Sequence, residues 1–177
     1  MRIYISLSLL LIVSGIYAQQ NNQMQFLPAN DSYIAGINKY SNDTGTFSQY
    51  FVKDAQWVLN ENIPSFTPIF KPEHQRLQYI SPTEGTTPNL FVYSNQTGDF
   101  VFYYLKNNEW QINEYLPKGK MNFKSNNIEM EFSPSNEAKS PYIFAYTTDG
   151  KELKILEVTD GNWNQIDYFP TSVPHNY

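Results

Sequence analysis

Apolar and aromatic residues along this chain fall into short runs, each closed by Gly, Pro, Asn or Asp, and the runs recur at one fixed spacing. Ile143, Phe144 and Tyr146 are matched by Leu90, Phe91 and Tyr93, and again by Ile37 and Tyr40. Trp163 is matched by Trp110 and Trp57, and Pro170 by Pro117 and Pro64, every step being 53 residues. The opening of the unit repeats as well, with Met130, Glu131 and Phe132 corresponding to Leu77, Gln78 and Tyr79 and to Met24, Gln25 and Phe26. A constant period of this kind marks a chain built from copies of one supersecondary unit. The copies are residues 24–76, 77–129 and 130–177, the last being five residues short.

Each copy reads as four short strands, in the middle one Leu77–Ile80, Leu90–Ser94, Phe100–Lys106 and Trp110–Leu116. Aromatic and β-branched residues suit a pleated, half-buried surface, and turn residues bound every run. Between the second and third strands stand Asn42–Gly45, Gln96–Gly98 and Asp149–Gly150, where glycine supplies the positive φ of a tight hairpin. The glycine of the third copy sits one residue early, which predicts a hairpin of different length there. Pro28, Pro82 and Pro134 close the first strand of each copy. No useful helical periodicity follows residue 18. The expected fold is all-β: three four-stranded antiparallel repeats of 53 residues, laid out like β-propeller blades. The alternative is threefold self-closure as a β-trefoil or β-prism. Three blades would leave two open edges, which a homodimer completing a six-bladed ring would pair.

The N-terminus reads differently from the rest. Met1 and Arg2 precede an apolar run from Ile3 to Tyr17, and Ala18 precedes the polar stretch Gln19–Asn22. This is the pattern of a secretory signal peptide, residues 1–18, cleaved after Ala18. Its apolar run falls short of the roughly 20 residues that span a bilayer. Residues 19–177 are then expected to form a single three-repeat β domain in a secreted or periplasmic protein. The chain has no cysteine, which excludes disulfides, thiolate metal sites and a cysteine nucleophile. A core must therefore hold it, and 12 Phe, 14 Tyr and 3 Trp supply one. The net charge is −5, and the two arginines are Arg2 and Arg76. No basic cluster suits nucleic acid, and no basic amphipathic segment suits a membrane surface.

The run Phe132, Ser133, Pro134, then Ile143, Phe144, Ala145, Tyr146, then Asp160, Gly161, Asn162, Trp163 resembles the F-S-P-D-G blades of TolB-type secreted and periplasmic propellers. The middle copy, with Tyr79, Ile80, Ser81, Pro82 and Trp110, is similar to the same blades. The resemblance implies a propeller blade. The chain departs from the family in placing Ser135 and Thr83, not Asp-Gly, after the proline. Fungal fucose-lectin blades share the strand order and the hairpin-then-Trp pattern. Their sugar sites use an arginine in the second strand, where this chain has Val92 and Ala145.

Candidate chemistry is sparse. Trp57, Trp110 and Trp163, with Tyr40, Tyr93 and Tyr146, are the candidate ligand-binding residues, since exposed aromatic faces stack on sugars or anchor protein partners. The same residues equally suit a core that pins each copy to its neighbour, with Trp110 in the central copy the costliest to remove. Glu61, Glu114 and Asp167 follow each Trp by four positions and read as solvated acids, with no calcium loop beside them. The sequons at Asn30, Asn42 and Asn95 would carry glycans in a eukaryotic source. His74 and His175 are the two histidines, and no G-x-S-x-G, H-E-x-x-H or phosphate loop occurs. The expected function is a secreted, non-enzymatic module binding carbohydrate or protein through loops on one face, without metal or cofactor. Its rivals are a glycosidase-like hydrolase using two carboxylates in a cleft, and a structural subunit completing a larger propeller.

Overall fold

The computed structural model describes residues 22–166 apart from 28, 30–34, 68, 83–85 and 136–139. The expected signal peptide, Pro28, Asn30, Asp167 and His175 lie outside the described residues.

The first sheet holds β1 (Asn22–Leu27), β2 (Gly36–Ser41), β3 (Phe47–Lys53) and β4 (Gln56–Leu59). The second holds β5 (Gln75–Ile80), β6 (Asn89–Ser94), β7 (Asp99–Lys106), β8 (Glu109–Ile112) and a short β9 (Gly119–Lys120). The third holds β10 (Ile128–Ser133), β11 (Tyr142–Thr147), β12 (Leu153–Thr159) and β13 (Asn162–Ile166). Each sheet is an antiparallel meander in chain order, and β9 adds to β7. The protein is all-β with three four-stranded repeats, as the period predicts. Pairing stays within each repeat, so the described strands form no closed barrel of the kind a β-trefoil needs.

The 53-residue step places nearly every strand boundary. β1, β5 and β10 begin at Asn22, Gln75 and Ile128, two residues before the expected starts of the copies. The fourth strand is shorter than expected. In the middle copy it ends at Ile112, because the Asn113 side chain accepts the N–H groups of Tyr115 and Leu116 and turns the chain. The hairpins entering the fourth strands are two-residue turns with positive φ at both centres: Asp54 and Ala55, Asn107 and Asn108, Asp160 and Gly161. That is the type I′ geometry whose twist matches the flanking strands.

The preceding hairpin corrects one expectation. Ser41 N–H bonds the Thr46 carbonyl and Thr147 N–H the Glu152 carbonyl, both at 3.0 Å, so the loop keeps its length in the third copy. What changes is its interior. Gly98 N–H reaches back to the Ser94 carbonyl, whereas Gly150 N–H reaches Thr147, one residue nearer. Gly98 is obligatory at its site: its φ is +74°, and a Cβ there would collide with the Met121 carbonyl. In the third copy Asp149 fills the turn, taking hydrogen bonds from the Thr147 hydroxyl and Lys151, which hold its carboxyl down at about 2.

The chain divides into two compact units, Met1–Glu73 and His74–Tyr177. In the first, Tyr40, Phe47 and Ile63 are buried, and a run of amides crosses the sheet. Asn38 donates toward Gln25, Gln49 donates to Asn38, and Asn60 donates to Gln49 at 2.6 Å. In the second unit the two sheets meet through aromatic rings. Phe91, Phe100 and Phe102 on the second sheet face Phe132 and Trp163 on the third. Phe102 stacks on Trp163 at 5.7 Å and takes the edge of Phe132 at 4.7 Å. The Gln78 amide clips the sheets together, donating to the Phe132 carbonyl and accepting its N–H. Burial of this many rings is the main favourable term holding the unit together.

Candidate functional site

The sequence-equivalent aromatics do not share an environment. Tyr40 is buried, its hydroxyl donating to the Pro72 carbonyl. Tyr93 is buried too, donating to Glu129 at 2.7 Å. Loss of solvation pushes its phenol well above the usual range, and the Glu129 carboxylate pushes the same way. Tyr146, the third of the set, is 41% exposed. Among the tryptophans, Trp163 is half-buried against Phe100 and Phe102, and its indole N–H donates to the Pro117 carbonyl at 2.7 Å. Trp110 is half-buried, and Trp57 is 51% exposed. One repeat position thus serves as core in one copy and surface in another.

The remaining candidates are scattered. Glu61 and Glu114 are exposed, Asn42 and His74 are half-buried, and Asn95 is buried. Among the described residues no three His, Cys, Asp or Glu side chains converge as a metal site requires. No described helix is long and apolar enough to cross a membrane.

What the fold does assemble is an exposed apolar face on the third sheet. The face of that sheet bearing Phe132 and Trp163 is spent on the second sheet. Strand alternation sends the half-buried Tyr142 and Phe144 and the exposed Tyr146 of β11 to the opposite face, with exposed Leu153 and buried Ile155 of β12 beside them. Tyr146 sits across from Leu153, which is 51% exposed, and Phe144 across from Ile155. These four positions are the repeat equivalents of Tyr93, Phe100, Phe91 and Phe102, all buried in the second sheet. At one end of this face an open cleft of about 510 Å3 is lined by Gln78, Glu131, Tyr142, Phe144 and Ile155.

The first sheet has an exposed face of the other kind. Met24, Phe26 and Trp57 stand at the positions that Met130, Phe132 and Trp163 hold in the third sheet, where they join the core. Phe26 is 65% exposed. Of these surface residues, the sequence reading singled out Tyr146 and Trp57 and passed over Phe26, Leu153 and Glu131. The signal for the others was present: a core position in a terminal copy has no further copy against it.

No family model and no curated protein sequence matches this chain.

Proposed function

We propose that this chain is a secreted, non-enzymatic β-repeat module of propeller type that binds protein through the exposed face of its third sheet. The observation that carries this reading is the exposure of Tyr146 and Leu153 at positions that are buried core one repeat earlier. Exposed apolar positions grouped on one sheet face are characteristic of interaction surfaces, and aromatic residues among them suit the centre of a contact. The propeller form is supported by the meander of every sheet and by face-to-face apposition of the second and third.

A carbohydrate ligand is the second reading, favoured by one feature. The cleft beside the face sets the exposed Glu131 carboxylate near the Tyr142 and Phe144 rings, an acceptor beside stacking surfaces. A glycosidase would bring two carboxylates to such a cleft, whereas Glu131 is the one acid among the described residues lining it.

The test is a parallel screen of the parent chain and Leu153→Asp on protein and glycan arrays, with glycosidase and esterase panels alongside. We expect hits on protein that Leu153→Asp removes, and no turnover. Hits indifferent to Leu153→Asp, or turnover abolished by Glu131→Gln, would overturn the reading.

A further inference from the structure

We infer that the protein partner of the third sheet's exposed face is a second copy of this chain, which contributes the exposed face of its first sheet. The inference rests on the protein-binding reading above and names its partner. The argument is that the required contact already exists once inside the molecule. Between the second and third sheets, Phe91, Tyr93, Phe100 and Phe102 meet Phe132 and Trp163. One repeat onward, the first group becomes Phe144, Tyr146, Leu153 and Ile155. Two repeats back, the second becomes Phe26 and Trp57, with identical side chains. The molecule therefore exposes part of each half of its own internal interface: Tyr146 and Leu153 of the first group, with Ile155 buried, and Phe26 and Trp57 of the second.

The polar contacts transfer in the same register. Tyr93 donates to Glu129, and the repeat sets Tyr146 opposite Gln23 of the second copy at the corresponding position. Gln78 grips the backbone of Phe132, and the corresponding pair is Glu131 with Phe26 of the second copy, whose N–H the carboxylate accepts. The edge contact of Phe100 with Trp163 at 5.7 Å becomes Leu153 against Trp57. Each copy offers one face of each kind, so the contact is heterologous, and the inferred assembly is the one in which it closes at two copies.

Sedimentation of the secreted chain at micromolar concentration is expected to give twice the chain mass. Leu153→Glu and Trp57→Lys, each at an exposed position, should separately leave the far-UV spectrum unchanged, keep the melting midpoint close to that of the parent at concentrations where the parent too is monomeric, and weaken the dimer at least about tenfold. Mixing the two variants should restore a dimer containing one of each, because the new glutamate and lysine then face one another. A parent that remains monomeric overturns the inference. So does dissociation by Leu153→Glu but not by Trp57→Lys, which marks a contact of like faces. If the parent is monomeric but Leu153→Glu still abolishes hits on the protein arrays, the partner is another protein and the binding reading stands.

Discussion

Trp57 and Trp163 hold the same place in the repeat, and what separates them is what lies against each ring. Trp163 has Phe102 stacked on it and Phe100 on edge, with its indole N–H closed by the Pro117 carbonyl, while half of Trp57 is open to solvent. Truncating a packed Trp removes transfer energy and leaves a cavity, whereas truncating a surface residue does neither. Trp163→Ala should therefore lower stability by about 3 kcal/mol in urea unfolding, and Trp57→Ala by about 0.5 kcal/mol at concentrations where the chain is monomeric. Equal losses would show that the two rings are equally packed. The sequence located both residues by their period, and it pointed to Trp110, in the central copy, as the costliest position. Trp110 and Trp163 are both half-buried, and the period does not rank them, because it records which residues correspond and is silent on which faces are covered. The tyrosine set teaches the same point: Tyr40 and Tyr93 are core, and Tyr146 is surface.

At the scale of elements, the period is informative because turn chemistry repeats with it. The type I′ turns at Asp54–Ala55, Asn107–Asn108 and Asp160–Gly161 need positive φ at both centres, and Asn or Gly at the second centre meets that need with little strain. Ala55 does not, since its φ of 59° sets Cβ against the backbone. Ala55→Gly should relieve that strain, net of glycine's greater unfolded-state entropy, and raise stability by about 0.5–1 kcal/mol. Thermal melts of the two chains check this, and a lower midpoint for the glycine variant would show that the turn is not strained. Less legible was the fourth strand of the middle copy, which ends early because one side chain, Asn113, caps the following turn. A sequence pattern of apolar residues does not reveal such a local competitor for backbone groups. The amide run of the first sheet was missed for a related reason. Asn38 and Gln49 occupy the positions of Phe91 and Phe102, and only cross-strand register shows that they bond each other. The site was less legible than the fold, because an exposed face depends on which neighbours a sheet lacks.

For the whole molecule, the decisive relation is between surfaces on different copies of the repeat. The positions that differ between the internal interface and its proposed intermolecular twin show how the two should differ in strength. Phe100 and Phe102 give way to Leu153 and Ile155, which keeps the contact apolar but removes the ring stack on the tryptophan. Gln78 gives way to Glu131, a more consequential change. The Gln78 amide both accepts from and donates to the Phe132 backbone, at 2.8 and 3.0 Å. A carboxylate in that place accepts the Phe26 N–H of the second copy but has no donor for its carbonyl, and sets a negative charge beside it. The proposed contact would then have one hydrogen bond fewer than the interface inside the chain. Glu131→Gln restores the missing donor and removes the charge. A hydrogen bond regained at an interface is worth about 1 kcal/mol, and the reciprocal dimer contains this contact twice, so it should tighten roughly thirtyfold. Dilution through the dissociation range, followed by sedimentation, measures this directly, with Glu114→Gln at an exposed turn as the control expected to change nothing. A dimer that loosens with Glu131→Gln would place the carboxylate against a cation or donor of the second copy, and the two sheets would then meet in a register other than that of the repeat.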